Sequence, residues 1–132
     1  MKKSKINIVW IKRDIRSQDH LPFDMAEKSD YPYLSIFIFE PSLMAYPDTS
    51  IRHLQFQYQS ILQLNQKLQP KNKAVIIFHS EVNQVLALIQ QQYDIVNLYS
   101  YQESGIQLSY SRDKKVQKFC LEHQIIWSQF QR

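Results

Sequence analysis

The chain has 132 residues, of which 44% are hydrophobic, and a formal net charge of +4, which is the composition of a single folded and mildly basic domain. Its one cysteine, Cys120, excludes an internal disulfide, and its four histidines form no zinc-binding pattern, so a reducing, cytoplasmic location is expected. Its one glycine, Gly105, excludes motifs that need several glycines, including the dinucleotide fingerprint, the P-loop and the serine elbow of hydrolases.

The first third of the chain alternates between apolar runs and a helical pattern. Residues 6–11 form a short, largely β-branched run, which predicts a strand that is covered on both faces. The lysines before this run permit contact with a polyanion, but the run is too short for a signal peptide or a membrane span, so no membrane association is expected. A short helix is predicted over 19–28, and a second buried strand over 33–39.

The middle of the chain predicts two helices on either side of a strand. Ser50 is positioned to cap a long helix that ends near Gln69. The apolar residues of that helix recur at helical spacing, at Ile51, Leu54, Tyr58, Ile61, Leu62 and Leu68. A third strand is predicted over 74–78, and Ser80 can cap a helix over 81–92. The apolar face of this second helix consists of Val82, Val85, Leu86 and Ile89.

The last part continues the same alternation. A fourth strand is predicted over 95–101, and a closing strand over 125–127. Between them, a helix starts at Ser109 or Ser111 and ends near His123. Its inward-facing residues are Val116, Phe119 and Cys120. Strictly alternating strands and helices predict an α/β fold, with a five-stranded, parallel, doubly wound, Rossmann-like sheet and helices on both faces.

Charged residues follow the first predicted strand directly, in the segment Lys12-Arg13-Asp14-Ile15-Arg16. In an open α/β sheet, ligands bind outside the carboxyl ends of the strands, so this position suggests a binding site. The alternative is that Lys12, Arg13 and Arg16 keep the surface soluble while Asp14 caps the next helix.

Five blocks of residues, in register with these elements, carry a more specific signal. They are Trp10-Ile11-Lys12-Arg13-Asp14-Ile15-Arg16 with Asp19-His20; Phe37-Ile38-Phe39-Glu40-Pro41 with Leu43; Ser50-Ile51-Arg52-His53 with Phe56, Ser60 and Leu64; Gln102-Glu103-Ser104-Gly105; and Tyr110-Ser111-Arg112-Asp113 with Val116, Cys120 and Ile126-Trp127. Together they span almost the whole chain and resemble the amino-terminal domain of DNA photolyases and cryptochromes.

This resemblance implies a division of labour. In the family, the amino-terminal α/β domain holds an antenna chromophore, which is a folate, a deazaflavin or a flavin. A separate carboxyl-terminal helical domain binds FAD, docks damaged DNA and performs the photochemistry. Residues 1–132 would then be the antenna domain, with the helical domain of the same parent as its partner. The isolated chain is expected to be inactive in repair. The surface that would face the helical domain is expected to promote weak homodimers.

The resemblance and the strand ends together point to seven residues that would bind the chromophore, with no catalytic and no metal-binding residue among them. They are Arg13, Asp14, Phe39, Glu40, Arg52, Glu103 and Gly105. Arg52, early in the long helix, could reach an anionic tail or a phosphate.

Each of these residues also has a purely structural interpretation. Asp14 would accept backbone hydrogen bonds, Phe39 would be core, and Glu40 would pair with Arg13 or Arg52. Ion pairs within the domain or toward the helical half are the expected role of Arg16, Arg112 and Asp113. Trp10 and Trp127 are expected to be core or interface aromatics rather than members of an electron-transfer chain.

Two departures from the family pattern leave the chromophore open. Many relatives have a glycine and an acidic residue after the third strand, where this chain has His79-Ser80-Glu81. Folate-binding members often place an acidic residue just before the Arg-Asp pair, where this chain has Leu108-Ser109-Tyr110-Ser111. A folate, a deazaflavin, a flavin and an empty pocket all remain compatible with the sequence.

Two other classes of protein compete with this interpretation. A nucleotide-binding regulatory domain of the universal stress protein kind shares the general topology, but it would normally carry a glycine-rich phosphate loop that this chain lacks. A DNA-binding module would rest on the basic amino terminus, which is small and is offset by Asp14 and Asp19.

Overall fold

A computed structural model describes residues 3–12, 21–41, 51–71, 74–102 and 107–130, with the backbone alone at residues 21, 51–54, 71 and 107–110. Within these ranges the strands are β1 (Ser4–Ile11), β2 (Tyr33–Phe39), β3 (Val75–His79), β4 (Tyr93–Tyr101) and β5 (Ile126–Phe130). The helices are α1 (Leu21–Lys28), α2 (Ile51–Leu68), α3 (Val82–Gln92) and α4 (Gln107–Glu122), and a short 3₁₀ helix (Gln69–Lys71) follows α2.

The five strands form one sheet in the order β3-β2-β1-β4-β5, and all four neighbouring pairs are parallel. The predicted α/β fold with a doubly wound parallel sheet is therefore confirmed. The chain moves from β1 to β2 on one side and later returns to β4 on the other, so the strand order reverses between β1 and β4. In doubly wound sheets, a reversal of this kind opens a crevice at the edge of the sheet where the strands end. We call this edge the carboxyl edge.

Alternation along the strands divides the interior into two apolar layers, one on each face of the sheet. Ile8 and Trp10 face the layer covered by α3 and α4, whereas Val9 and Ile11 face the layer covered by α1 and α2. All four residues are at most 1% exposed, which explains why β1 is apolar on both faces. No helix among the described residues is long and apolar enough to cross a membrane.

Several local predictions need correction. The N-cap of α3 is Glu81 rather than Ser80, because Glu81 and Gln84 form a reciprocal capping box, in which the Gln84 Oε1 accepts from the Glu81 amide at 3.2 Å. Helix α4 begins at Gln107, before Ser109 and Ser111, since a serine tolerates a place inside a helix as well as at its start.

The apolar stripe predicted for α2 is also too broad. Ile61, Leu64 and Leu68 are buried, but Tyr58 is 48% exposed and Leu62 is 43% exposed, because they lie on the flanks of the buried face. The start of this helix at Ser50, and the predicted start of α1 at Asp19, lie outside the described residues.

Helix α4 ends in a Schellman motif that would ordinarily use a glycine. The amide of Ile125 donates to the carbonyl of Cys120 at 2.8 Å, and the amide of Gln124 donates to the carbonyl of Leu121 at 3.4 Å. Gln124 has a φ of 59°, in the left-handed region. A side chain there costs about 1 to 2 kcal/mol relative to glycine. The turn that directs the chain into β5 is therefore held by its tertiary surroundings.

Candidate functional site

A lysine is buried against two tryptophans at the carboxyl edge. Residues two apart in a strand share a face, so Lys12, just after β1, lies on the same side of the sheet as Trp10. The Lys12 Nζ is 4.3 Å from the ring centroid of Trp10 and 5.6 Å from that of Trp127, within the range of cation–π attraction. The two indole centroids are 6.1 Å apart, and the Lys12 side chain is only 4% exposed.

Helix α4 brings a second cation to the same place. The guanidinium carbon of Arg112 is 4.9 Å from the Trp10 centroid. Its Nη1 donates to Glu40 Oε1 at 2.7 Å, and its Nε donates to Asp113 Oδ1 at 3.0 Å. The Lys12 Nζ lies 3.8 Å from the same Asp113 oxygen. We call these four residues, Lys12, Glu40, Arg112 and Asp113, the charge cluster.

The charge cluster contains two cations and two carboxylates, and its side chains are largely buried. The side chains of Glu40, Arg112 and Lys12 are all below 10% exposed, and that of Asp113 is 19% exposed. A buried ion pair gains little net stability over an apolar pair of the same shape, because desolvation offsets the attraction. The cluster is therefore better suited to holding the ends of β1, β2 and α4 in one geometry than to strengthening the fold.

Aromatic side chains occupy the opposite face of the same edge. Phe39, the last residue of β2, is half-buried, and its ring centroid lies 4.9 Å from Phe37 and 6.5 Å from Tyr58 of α2. The Tyr58 ring is partly open to solvent. Phe39 and Glu40 are adjacent in the sequence but belong to opposite layers, since Phe39 packs with the α1/α2 layer and Glu40 binds a residue of α4.

The structure describes only some of the residues predicted to bind the chromophore. Arg13, Asp14, Glu103 and Gly105 lie outside the described residues, and Arg52 is described by its backbone in the first turn of α2. The binding role of all seven residues therefore stays a prediction. For Glu40, the observed partner is Arg112, which the sequence did not suggest.

The remaining charged and aromatic residues behave largely as expected. Arg112 and Asp113 form ion pairs within the domain, as predicted, and Trp10 is a core residue at 1% exposure. Trp127 is half-buried and donates its Nε1 hydrogen to Ser100 Oγ at 2.9 Å. Arg16 is outside the described residues.

Two residues of this edge were missed from the sequence. The sequence is compatible with a solubilising role for Lys12, but its position two residues after a buried tryptophan is a usable signal that it shares that residue's face. The spacing of Tyr58 fits the apolar stripe and predicts a core position, and only the packing of α2 shows that it lies beside Phe39.

The carboxyl edge of the described part combines ionisable groups with aromatic surface. No cluster of histidine, cysteine, aspartate and glutamate there could hold a metal ion. Tyr99 lies two residues before the end of β4, and burial raises the pKa of its phenol, which stays neutral. The edge therefore offers aromatic surface and fixed charges, the features that orient a planar ligand.

Together, the strand order and the parallel pairing define a doubly wound α/β domain. The family model of DNA photolyase matches residues 7–132, which is nearly the whole chain. The chain therefore belongs to the DNA photolyase family. A search of curated proteins gave no match.

Solved structures agree with this assignment. An archaeal photolyase from Sulfolobus tokodaii, solved with two FAD molecules, is 26% identical over 95% of this chain, with a TM-score of 0.80. A cryptochrome from Synechocystis sp. PCC6803 is 20% identical over 99% of the chain with a TM-score of 0.89, and a class III photolyase from Agrobacterium tumefaciens is 14% identical over 99% with a TM-score of 0.80. The latter two show similarity of fold alone.

This chain spans 29%, 28% and 26% of the lengths of those three proteins. It corresponds to less than a third of each relative. The matches do not favour the universal stress protein interpretation.

Proposed function

We propose that this chain is the antenna-chromophore-binding domain of a photolyase or cryptochrome. The observation that carries the proposal is the similarity to the Sulfolobus tokodaii photolyase, whose structure is described as implying a novel light-harvesting cofactor. The similarity covers 95% of this chain, so its relation to that protein extends across the whole sheet.

The carboxyl edge has the chemistry that such a ligand requires. A planar heteroaromatic chromophore needs apolar walls for its faces and a few polar groups for its ring edges. Phe39 and Tyr58 supply aromatic surface on one layer. In the proposal, Arg13, Asp14 and Glu103 supply polar groups from the segments that follow β1 and β4 in the sequence, and Arg52 supplies one from the first turn of α2. Gly105 would allow close approach. Glu40 belongs to the charge cluster at the same edge.

A flavin is the first chromophore to test. The archaeal relative was solved with two FAD molecules, and it is the one of the three structures above 25% identity. The chain has no acidic residue in the segment 108–111, where folate-binding members often have one. A folate and a deazaflavin are the alternative outcomes.

The parent activity follows from this role. Light absorbed by the antenna would pass to FAD held in a carboxyl-terminal helical domain, where damaged DNA is repaired or a blue-light signal starts. We expect this chain alone to leave pyrimidine dimers intact under blue light, because the family places FAD and its electron-transfer tryptophans in that other domain. Repair above a dark control would contradict this division of labour.

The binding proposal is tested by titrating the chain into FAD, FMN, a deazaflavin and methenyltetrahydrofolate, and following absorption and fluorescence. Removing one aromatic wall in Phe39→Leu should weaken binding about 2- to 10-fold. Phe119→Leu is the matched control, because Phe119 is also half-buried but lies in the second half of α4, away from the carboxyl edge. An equal loss of affinity in both variants, or no change in absorption or fluorescence with any probe, would contradict the proposal.

Charged contacts give a larger expected effect. Loss of a hydrogen bond to a charged group in Arg52→Ala or Glu103→Ala should weaken binding about tenfold to a hundredfold. Lys118→Ala, an exposed change on α4, is the control and should leave affinity unchanged. Unaltered affinity in both site variants would remove these two residues from the pocket while leaving the family assignment intact.

A further inference from the structure

Glu40 and Phe39 are the two predicted chromophore-binding residues whose side chains the structure describes, and they lie in different environments. Phe39 faces the layer of α1 and α2, beside the partly exposed Tyr58. Glu40 faces the layer of α4, is 5% exposed, and binds Arg112 at 2.7 Å. Arg112 is in turn held by Asp113 and packed on Trp10. A carboxylate in this arrangement is directed at a helix of its own domain.

We propose that Glu40 is a positioning residue, which acts through Arg112 to fix the first turns of α4 against the ends of β1 and β2. The proposal rests on the function proposed above, because it concerns the same edge of the sheet. It reassigns Glu40 from direct contact with the chromophore to shaping the site that receives it.

The geometry of the ion pair supports a directional role. Arg112 donates along two different directions, through Nη1 to Glu40 and through Nε to Asp113, so the planar guanidinium is held in one orientation. Glu40 directly follows β2, whereas Arg112 lies in α4, 72 residues further along the chain. A pair of this kind is nearly neutral for stability but fixes which surfaces meet.

The position of Arg112 within α4 determines what is held. Helix α4 starts at Gln107, so Arg112 lies in its second turn. Glu103 and Gly105, two of the predicted chromophore-binding residues, directly precede this helix in the sequence. Anchoring the second turn of α4 therefore fixes the point at which the segment that carries these two residues joins the helix.

Hydrogen exchange tests the positioning without any ligand. The amides of residues 111–114 bond to the carbonyls of the first turn of α4. In Glu40→Gln and in Arg112→Gln, their protection should fall about tenfold relative to that of residues 116–120 in the same helix. Lys115→Gln, an exposed change nearby, should leave this ratio unchanged. Using the ratio removes the effect of global destabilisation, which lowers protection in both segments together.

A double-mutant cycle in binding tests the same point with FAD as the probe. If Glu40 acts through Arg112, each single change weakens binding about tenfold and the double change weakens it no further. If Glu40 touches the chromophore directly, the two effects multiply, and the proposal is overturned. Arg112→Lys should not restore affinity, because one ammonium group cannot donate along both directions.

The two proposals fail in distinguishable ways. Absence of binding by any probe to the unaltered chain contradicts the antenna function, and the exchange ratio alone then decides the role of Glu40. An unchanged ratio in both single variants overturns the positioning role even if the chromophore binds. If Arg112→Gln does not fold, Asp113→Asn replaces it, because it removes the other partner that orients Arg112.

Discussion

Two buried polar networks lie along the central strand β1, and they differ in kind. In the half of the strand nearer its amino end, Asn7 is fully buried, and its side chain is hydrogen-bonded to neutral groups. Its Nδ2 donates to Ser29 Oγ at 2.8 Å, and its Oδ1 accepts from Asn97 Nδ2 at 3.0 Å. Just after the other end of the strand, Lys12 belongs to the charge cluster. One network is made of amides and a hydroxyl, the other of four ionisable groups.

The contrast indicates what each network does. The amide network lies beside an irregularity between Ile6 and Asn7 in the pairing of β1 with β4, where neutral side chains satisfy polar groups within the sheet. Charge is instead concentrated at the edge where doubly wound sheets bind ligands. The neutral network holds the register of β1 against β4. The charge cluster instead joins the ends of β1 and β2 to α4 through ion pairs of defined direction.

The largest expected effect breaks the charge cluster on one side. Arg112→Met leaves Glu40 as a buried carboxylate without its 2.7 Å partner, and should lower the free energy of unfolding by about 3 to 5 kcal/mol. Urea unfolding followed by circular dichroism measures this. The double change Arg112→Met/Glu40→Met should regain most of the loss. Lys115→Met, on the exposed side of α4, should change stability by no more than about 0.5 kcal/mol.

A smaller effect is expected from the neutral network. Asn7→Ala removes the acceptor of the Asn97 amide and the donor to Ser29, and should cost about 1 to 3 kcal/mol in the same urea experiment. Asn83→Ala also removes an amide hydrogen bond, to the Lys115 carbonyl, but Asn83 is less buried than Asn7, so its cost should be smaller. If Asn7→Ala proved as costly as Arg112→Met, the two networks would not differ in the way described.

The smallest effect concerns a thiol whose ionised form is disfavoured by burial. Cys120 lies about two turns after Arg112 on α4, in the apolar core, and burial raises the pKa of its thiol from 9.0 to about 11. The unfolded chain therefore loses this proton before the folded chain does. Stability should fall as the pH rises from about 9 to about 11.

Measured against Cys120→Ala, this loss appears as a difference between the two stability curves, because the other groups that titrate in that range are common to both proteins. The curves should run parallel below pH 8. A constant difference from pH 8 to about 11 would show that the thiol of the folded chain ionises normally.

Much of the architecture could be predicted because it depends on local patterns. The apolar face of α3 is buried at all four predicted positions, Val82, Val85, Leu86 and Ile89, and β2 occupies the predicted range Tyr33–Phe39. The carboxyl edge as the place of the binding site stays a prediction, which rests on the charged residues that follow a buried strand there. The predictions that were wrong concern single residues whose environment depends on how a helix packs. An example is Tyr58, which is exposed because it lies on the flank of α2.

By itself, the sequence determined the alternation of strands and helices, the parallel sheet and the family, because hydrophobic periodicity and spaced motifs are properties of short segments. Only the tertiary structure decided the strand order, the left-handed turn at Gln124 and the pairing of Glu40 with Arg112 across 72 residues. Each of these depends on which distant surfaces meet in the folded chain, and a buried carboxylate pairs with the cation that packing brings within reach.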